Sequence, residues 1–340
     1  MSYLQELTLK LAVGASRLDE ETRQRHRDWL RAQQRSDGGF AGREGNSDPY
    51  YTAFGLRGLL IVDGIDERVA TQASTFVRSQ LDAKLGVVDL ISLIMAAAIL
   101  ELVGGSDEMQ AIRSSSDRVA QSLLSLRSGD GGYAKTPHGA AGSTYQTFLN
   151  LLCWELIARD EPEPDRVAAF LEAQRHAEGG FREIRVAKRA GVNPTAAGIG
   201  ALKSLQRLQI SSERATAEFL SDMQTDEGGM AANDRIPMPD LLSTCTALIS
   251  LIDLEAVDQV DVGKLIRYAR TMERRELTKA EPAGALAGLL DWDEEAEIES
   301  EGNRRSELPG GFHGFEFDQD VDVEYTFYGL ACLALGELAS

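Results

Sequence analysis

The stretch from Ser36 to Leu60 reads SDGGFAGREGNSDPYYTAFGLRGLL, and it decides the fold because much of the chain repeats it. Its glycine pair and Phe40 return as Asp130-Gly131-Gly132-Tyr133, Glu178-Gly179-Gly180-Phe181, Glu227-Gly228-Gly229-Met230 and Pro309-Gly310-Gly311-Phe312. An apolar helical run ends at Gln34, Gln80, Arg127, Gln174, Gln224 and Met272, at steps of 46 to 50 residues. A fixed period of this size signals stacked supersecondary units, here six helical hairpins. A Thr follows each glycine loop, at Thr52, Thr147, Thr195, Thr244 and Thr326. The last step is 82 residues, so about 33 extra residues lie between Met272 and Gly310.

Within the first copy, the helix to Gln34 is ended by Ser36-Asp37-Gly38-Gly39, residues that tolerate left-handed backbone. Asp48-Pro49 starts the next helix, since the carboxylate caps free N–H groups and proline suits the first helical position. That helix, Tyr50 to Leu60, alternates small and large apolar residues as an inner-wall helix would. The same frame places Ser143, Asp240 and Asp322 four residues before their Thr, with Gly191 in the equivalent place before Thr195. These positions predict either N-caps or a polar rim around an apolar bore. The expected architecture is all-α: an α/α toroid, or α6-α6 barrel, of six hairpins over 1–340, preceded by a helix over YLQELTLKLAVGA. An open superhelix is the alternative.

A net charge of −19 over 340 residues argues against broad binding to nucleic-acid phosphates. Cys153, Cys245 and Cys332 fall in apolar helical stretches and read as small core residues rather than a disulfide or metal framework. No apolar run reaches the roughly 20 residues of a membrane crossing, and no signal leader is visible, so a cytoplasmic location is expected. Within the extra residues, taken as 273–308, AEPAGALAGLLDW is followed by an acidic run to Glu301. This insertion is expected to be a lid over the last repeat or a surface excursion.

The copies GGFAGREGNSDPYYT and GGFHGFEFDQDVDVEYT resemble the repeat of protein prenyltransferase β subunits and, more distantly, terpene cyclases. The resemblance implies a toroid whose aromatic-lined cavity holds an isoprenoid, and a helical partner subunit. It also implies a zinc site on an Asp, a Cys two residues later and a His, at positions matched here by Asp240, Leu242 and Tyr325. Leucine cannot ligate and a neutral phenol is a poor imidazole substitute, so zinc is not expected. The family's diphosphate site is built from basic residues of the later glycine loops. Arg182, Arg185, Lys188 and Arg189, with Arg235 in the next loop, are the matching candidates. Alternatively they form a solvated basic loop.

Two further readings stand beside a prenyltransferase-like enzyme. Asp320, Asp322 and Glu324 alternate in the last repeat, and crowded carboxylates could keep one acid protonated, as the resemblance to cyclases that protonate an alkene would require. The same residues could hold Mg²⁺ with a diphosphate. The third reading is a non-catalytic isoprenoid-binding or interaction module. The catalytic candidates are therefore Asp240, Asp322, Glu324 and Tyr325, with Tyr51 and Tyr145 as aromatic contacts to an isoprenoid.

Overall fold

Each glycine loop is pinned by one recurring device. The backbone N–H of the aromatic or Met donates to the Thr hydroxyl one turn into the next helix: Phe40 to Thr52 (3.0 Å), Tyr133 to Thr147 (2.9 Å), Phe181 to Thr195 (2.9 Å), Met230 to Thr244 (2.9 Å) and Phe312 to Thr326 (3.2 Å). These large side chains and the Thr residues are fully buried, so the hydroxyl satisfies a donor that would otherwise be stranded away from water. In three copies the ring packs on a helical glycine, Gly55, Gly198 or Gly329, where an added Cβ would come within 2.7 Å of it. The first glycine of each pair has positive φ, from 87° at Gly38 to 126° at Gly310, a conformation that excludes most other residues.

The computed structural model describes residues 2–81, 83, 85–104, 107–275 and 308–339. Among them, fourteen α-helices follow in order: α1 (Tyr3–Ala15), α2 (Glu20–Gln33), α3 (Pro49–Ile61), α4 (Glu67–Gln80), α5 (Val87–Leu102), α6 (Glu108–Ser114), α7 (Ser116–Ser125), α8 (Thr144–Leu156), α9 (Pro164–Ala173), α10 (Val192–Ser204), α11 (Arg214–Ser221), α12 (Leu241–Asp253), α13 (Val262–Thr271) and α14 (Val323–Ala339). Helix α3 packs on α5, α5 on α8, α8 on α10, α10 on α12 and α12 on α14. Helix α14 packs back on α3, so the inner wall closes into the toroid and the open superhelix is ruled out. Outside it, α2, α4, α9, α11 and α13 back the inner helices. No helix among the described residues is long and apolar enough to cross a membrane.

Three details differ from the sequence reading. The fourth glycine loop pairs antiparallel as β1 (Met230–Asn233) and β2 (Ile236–Asp240), extending the single bridge that other copies form between aromatic and cap, such as Phe40 with Asp48. The third outer helix is broken into α6 and α7 at Ser115. Helix α11 ends at Ser221, three residues short of the predicted Gln224, whereas the predicted Gln174 and Met272 are the C-caps of α9 and α13. Of the predicted insertion 273–308, residues 276–307 lie outside the described residues.

Helix α1 lies across the ring at the C-terminal ends of the inner helices. The backbone N–H of Tyr3 donates to Glu155 of α8 (3.3 Å), Lys10 pairs with Asp253 of α12 (2.8 Å), and Gly14 abuts the backbone of Ala334 in α14. Lys203 of α10 joins this cluster through Asp253 (2.7 Å) and Glu6 (2.7 Å). The helix thereby floors the bore.

Candidate functional site

At the open end, the first turns of the inner helices form the predicted rim. Asp48 accepts from the Tyr51 N–H (2.8 Å), Ser143 from Gln146 (3.1 Å), Asp240 from Ser243 (2.7 Å) and Asp322 from Tyr325 (2.8 Å). All four are helix N-caps, and Gly191 starts α10 with no side-chain cap. Their capping role and their place on a common rim coexist.

Below the rim, residues left partly accessible recur at helical spacing on the inner helices: Tyr50 and Arg57 on α3, Tyr145 and Phe148 on α8, Thr246 and Ile249 on α12, Glu324 and Tyr328 on α14. A stripe spaced by three or four residues is one helix face, and on these helices it faces the bore. Tyr3 of α1 meets Phe148 edge-on at 5.7 Å, so aromatic rings reach the floor. Phe54, Phe327 and Tyr328 form a mutually tilted cluster, with ring centroids 5.4–5.5 Å apart.

A cleft of about 620 Å³ opens at the seam between the first and last repeats, lined by Arg43, Tyr51, Asp318, Asp322, Glu324 and Tyr325 among others. Arg43 organises it, donating Nε to Asp322 (2.9 Å) and both terminal nitrogens to Asp318 (2.7 and 2.5 Å). Burial raises the Asp318 carboxyl, but Arg43 and two backbone amides prevail and hold it below its usual range. Glu324 accepts from the Tyr50 hydroxyl (2.7 Å). Burial, outweighing that bond, pushes the Glu324 carboxyl above its ordinary value, with help from the Asp322 charge. Asp240 is raised by burial too, and Tyr325 is pushed up to about 12, mainly by burial and then by Glu324.

The cleft thus brings together Asp322, Glu324, Tyr325 and Tyr51, with Tyr145 across the bore within electrostatic reach of Glu324. The later basic loops stand apart from it. Arg182 spends its guanidinium on backbone carbonyls of Ala173 (2.9 Å), Gln174 (3.3 Å) and Arg175 (3.2 Å). Arg189 pairs with Asp234, whereas Arg185, Lys188 and Arg235 are exposed and make no ion pair among the described residues. Arg43 was not among the sequence candidates, although its place in the first glycine loop, two residues beyond Ala41, was in plain view. Arg57 was hidden in an apolar helical run, where only its odd charge marked it.

The residues matched to a zinc set do not fit that metal. Asp240 directs one oxygen to the Ser243 N–H and the other to its hydroxyl (2.8 Å), Leu242 has no donor atom, and the Tyr325 phenol is neutral. No group of three or more His, Cys, Asp or Glu suited to a metal ion occurs among the described residues.

A family model described as the prenyltransferase alpha-alpha toroid domain matches residues 4–231 and 195–295. Among solved structures, protein geranylgeranyltransferase-I of Candida albicans, complexed with GGPP, is similar over 92% of this chain and 90% of its own, with 14% identity and a TM-score of 0.67. The type II terpene cyclase MstE from Scytonema, in complex with geranylgeranyl dihydroxybenzoate, is similar over 99% of both chains at 12% identity and TM-score 0.56. An α-1,6-mannanase of Salegentibacter, in complex with α-1,6-mannotetrose, is similar over 95% of this chain and 100% of its own, at 14% identity and TM-score 0.57. No curated protein sequence matches the chain.

Proposed function

This chain belongs to the prenyltransferase alpha-alpha toroid domain family, and from that premise we propose that it binds an isoprenoid amphiphile in its bore without a zinc centre. The observation that carries the reading is the bore itself, walled by Phe54, Phe148, Phe327 and Tyr328 and floored by α1. Two structurally similar proteins, a geranylgeranyltransferase and a terpene cyclase, hold geranylgeranyl compounds, which supports the choice of ligand class. The mannanase shares the fold with a carbohydrate ligand, so the wall chemistry rather than the fold has to decide. The aromatic faces of Phe54, Phe148, Phe327 and Tyr328 favour a hydrocarbon chain. A helical partner subunit and a cytoplasmic location belong to the same proposal.

Isothermal titration with C15 and C20 isoprenoids, as alcohols and as diphosphates, tests it. At least one of them is expected to bind at micromolar Kd or tighter, and Ile249→Trp, which fills the bore, is expected to weaken it tenfold or more. A folded protein that binds none of the compounds sinks the proposal. If the exposed Arg185 and Lys188 hold a diphosphate at the rim, Arg185→Glu weakens the diphosphates alone.

A second reading, acid-initiated cyclisation, is favoured by one observation: the burial-raised carboxyl of Glu324 at the mouth of the bore. Cyclised products from squalene or from C15 and C20 diphosphates, lost in Glu324→Gln with ligand binding kept, are its expected signature. Binding without product leaves a non-catalytic isoprenoid carrier.

A further inference from the structure

Arg57 projects from α3 into the bore with no ion-pair partner among the described residues, and the Glu324 carboxyl is within its electrostatic reach without touching it. Its guanidinium carbon lies 3.7 Å from the ring centroid of Phe327 and 5.2 Å from that of Phe54, both rings being buried. Those two rings are its partners; among the described residues it makes no ion pair and no side-chain hydrogen bond. Tyr328, Cys245, Tyr145 and Tyr50, from four inner helices if α3 itself is counted, surround it within electrostatic reach, and desolvation lowers its pKa from the ordinary Arg value. Among the described residues the cations at the seam and the floor are matched, Arg43 by Asp318 and Asp322 and Lys10 and Lys203 by Asp253, while the unpaired Arg185, Lys188 and Arg235 stand in exposed loops.

A charge without an ion-pair partner and largely shielded from bulk water is costly to hold, and removing it normally stabilises a fold. Stacking on a phenyl face returns only part of that cost. A guanidinium whose face is covered by Phe327 still presents its N–H edge, and that edge matches a planar carboxylate with two parallel bonds. A diphosphate fits poorly, because several negative charges would meet one cation with the Glu324 carboxyl close by.

We infer that Arg57 is a recognition site inside the bore for a singly charged carboxylate, so that the preferred ligand is an isoprenoid acid rather than a diphosphate or an alcohol. Tyr145 and Tyr328, both within electrostatic reach of Arg57, would supply phenol donors to the same carboxylate. This rests on the bore-binding proposal above and names the headgroup of its ligand.

The test uses the full chain and four probes: farnesoic acid, farnesol, farnesyl diphosphate and decanoic acid. Farnesoic acid is expected to bind at least tenfold more tightly than either other C15 compound, and Arg57→Met is expected to erase that preference while leaving farnesol binding within about threefold. Arg57→Lys, which keeps the charge and loses the fork, should keep part of the preference. Without ligand, Arg57→Met should melt no lower than the wild type, since it removes a charge without a partner. An acid preference that survives in Arg57→Met, a wild type that binds farnesol or the diphosphate as tightly as the acid, or a large loss of apo stability in Arg57→Met overturns the inference. Binding of decanoic acid that depends on Arg57, with no C15 compound binding, refutes the isoprenoid proposal and leaves the carboxylate site standing. If nothing binds, both fall.

Discussion

Replacing Glu273 with alanine is expected to destabilise the protein by about 3–5 kcal/mol, the range for removing one partner of a buried ion pair. The Glu273 side chain has no exposed surface, yet it receives Arg25 of α2 through Nε (3.0 Å), His26 through Nε2 (3.2 Å), Arg270 of α13 (3.5 Å) and Arg275 (3.1 Å). Residues 25–26 and 270–275 are far apart in sequence, so this carboxylate ties the first repeat to the last where the ring closes. His26 continues the link: its Nδ1 accepts the Gly311 N–H (3.2 Å) and its ring stacks on Phe312 at 4.7 Å. With Nδ1 accepting, Nε2 must carry the proton it gives Glu273, so the imidazole is neutral. Alanine would take the buried anion from Arg25 and Arg270, leaving them the longer contacts to the exposed Glu21 (3.3 Å) and Asp19 (3.7 Å), and would leave the imidazole without an acceptor. Glu273→Gln keeps an acceptor for His26 and should lose less.

The same cluster fixes the sign of a pH effect. Burial is the main influence on His26 and lowers its pKa despite Glu273, so the unfolded chain takes up a proton below about pH 6.5 that the folded chain refuses. Burial acts to raise Glu273, but His26 and Arg25 outweigh it and hold the carboxyl well below the usual range. Its stabilisation is present above the ordinary Glu range and lost as pH falls below it. Both groups therefore weaken the fold on the acid side. Urea unfolding of wild type and variants between pH 8 and pH 4 checks this. A Glu273→Ala chain within 1 kcal/mol of wild type at pH 7.5 would show that the seam does not depend on the carboxylate.

The ring was legible because its device is local: a glycine pair, an aromatic and a Thr at fixed spacing, each copy placing the same hydrogen bond, as Phe181 to Thr195 does. The N-caps were legible for the same reason, since Asp48 and Asp240 act on amides three residues away. What could not be read was pairing between distant copies. Arg43 meets Asp318 and Asp322 only because the ring closes, some 275 residues further along the chain. Charge counting pointed instead to Arg182, whose donors are consumed by nearby carbonyls, and to Arg189, which pairs with Asp234. Arg57 sits in the first quoted repeat, but its isolation depends on Phe327, from the opposite end of the chain. Helix α1 was predicted to its end residues, whereas its place across the floor follows from contacts with α8, α12 and α14.

Gly14→Leu should displace that floor. A Cβ at Gly14 would lie 1.9 Å from the Ala334 carbonyl oxygen and 2.5 Å from its carbon, both backbone atoms of α14 that cannot rotate away. Leucine therefore lifts α1 from the inner wall, exposing Leu11 and Ala15 and straining the Arg17 bond to the Glu337 carbonyl (2.6 Å). The expected loss is about 1–3 kcal/mol, as for overpacking elsewhere. It should be local, because the inner helices pack on one another without α1. Hydrogen exchange should speed up through residues 3–15 while amides of α10 and α12 keep their protection. Val13→Leu, on the 41% exposed neighbouring position, serves as a neutral control. Unchanged protection of α1 in Gly14→Leu would refute the docking. The variant also separates the two cavities as ligand sites: a ligand in the bore is lost with its floor, whereas one seated in the Arg43 cleft at the opposite rim is retained.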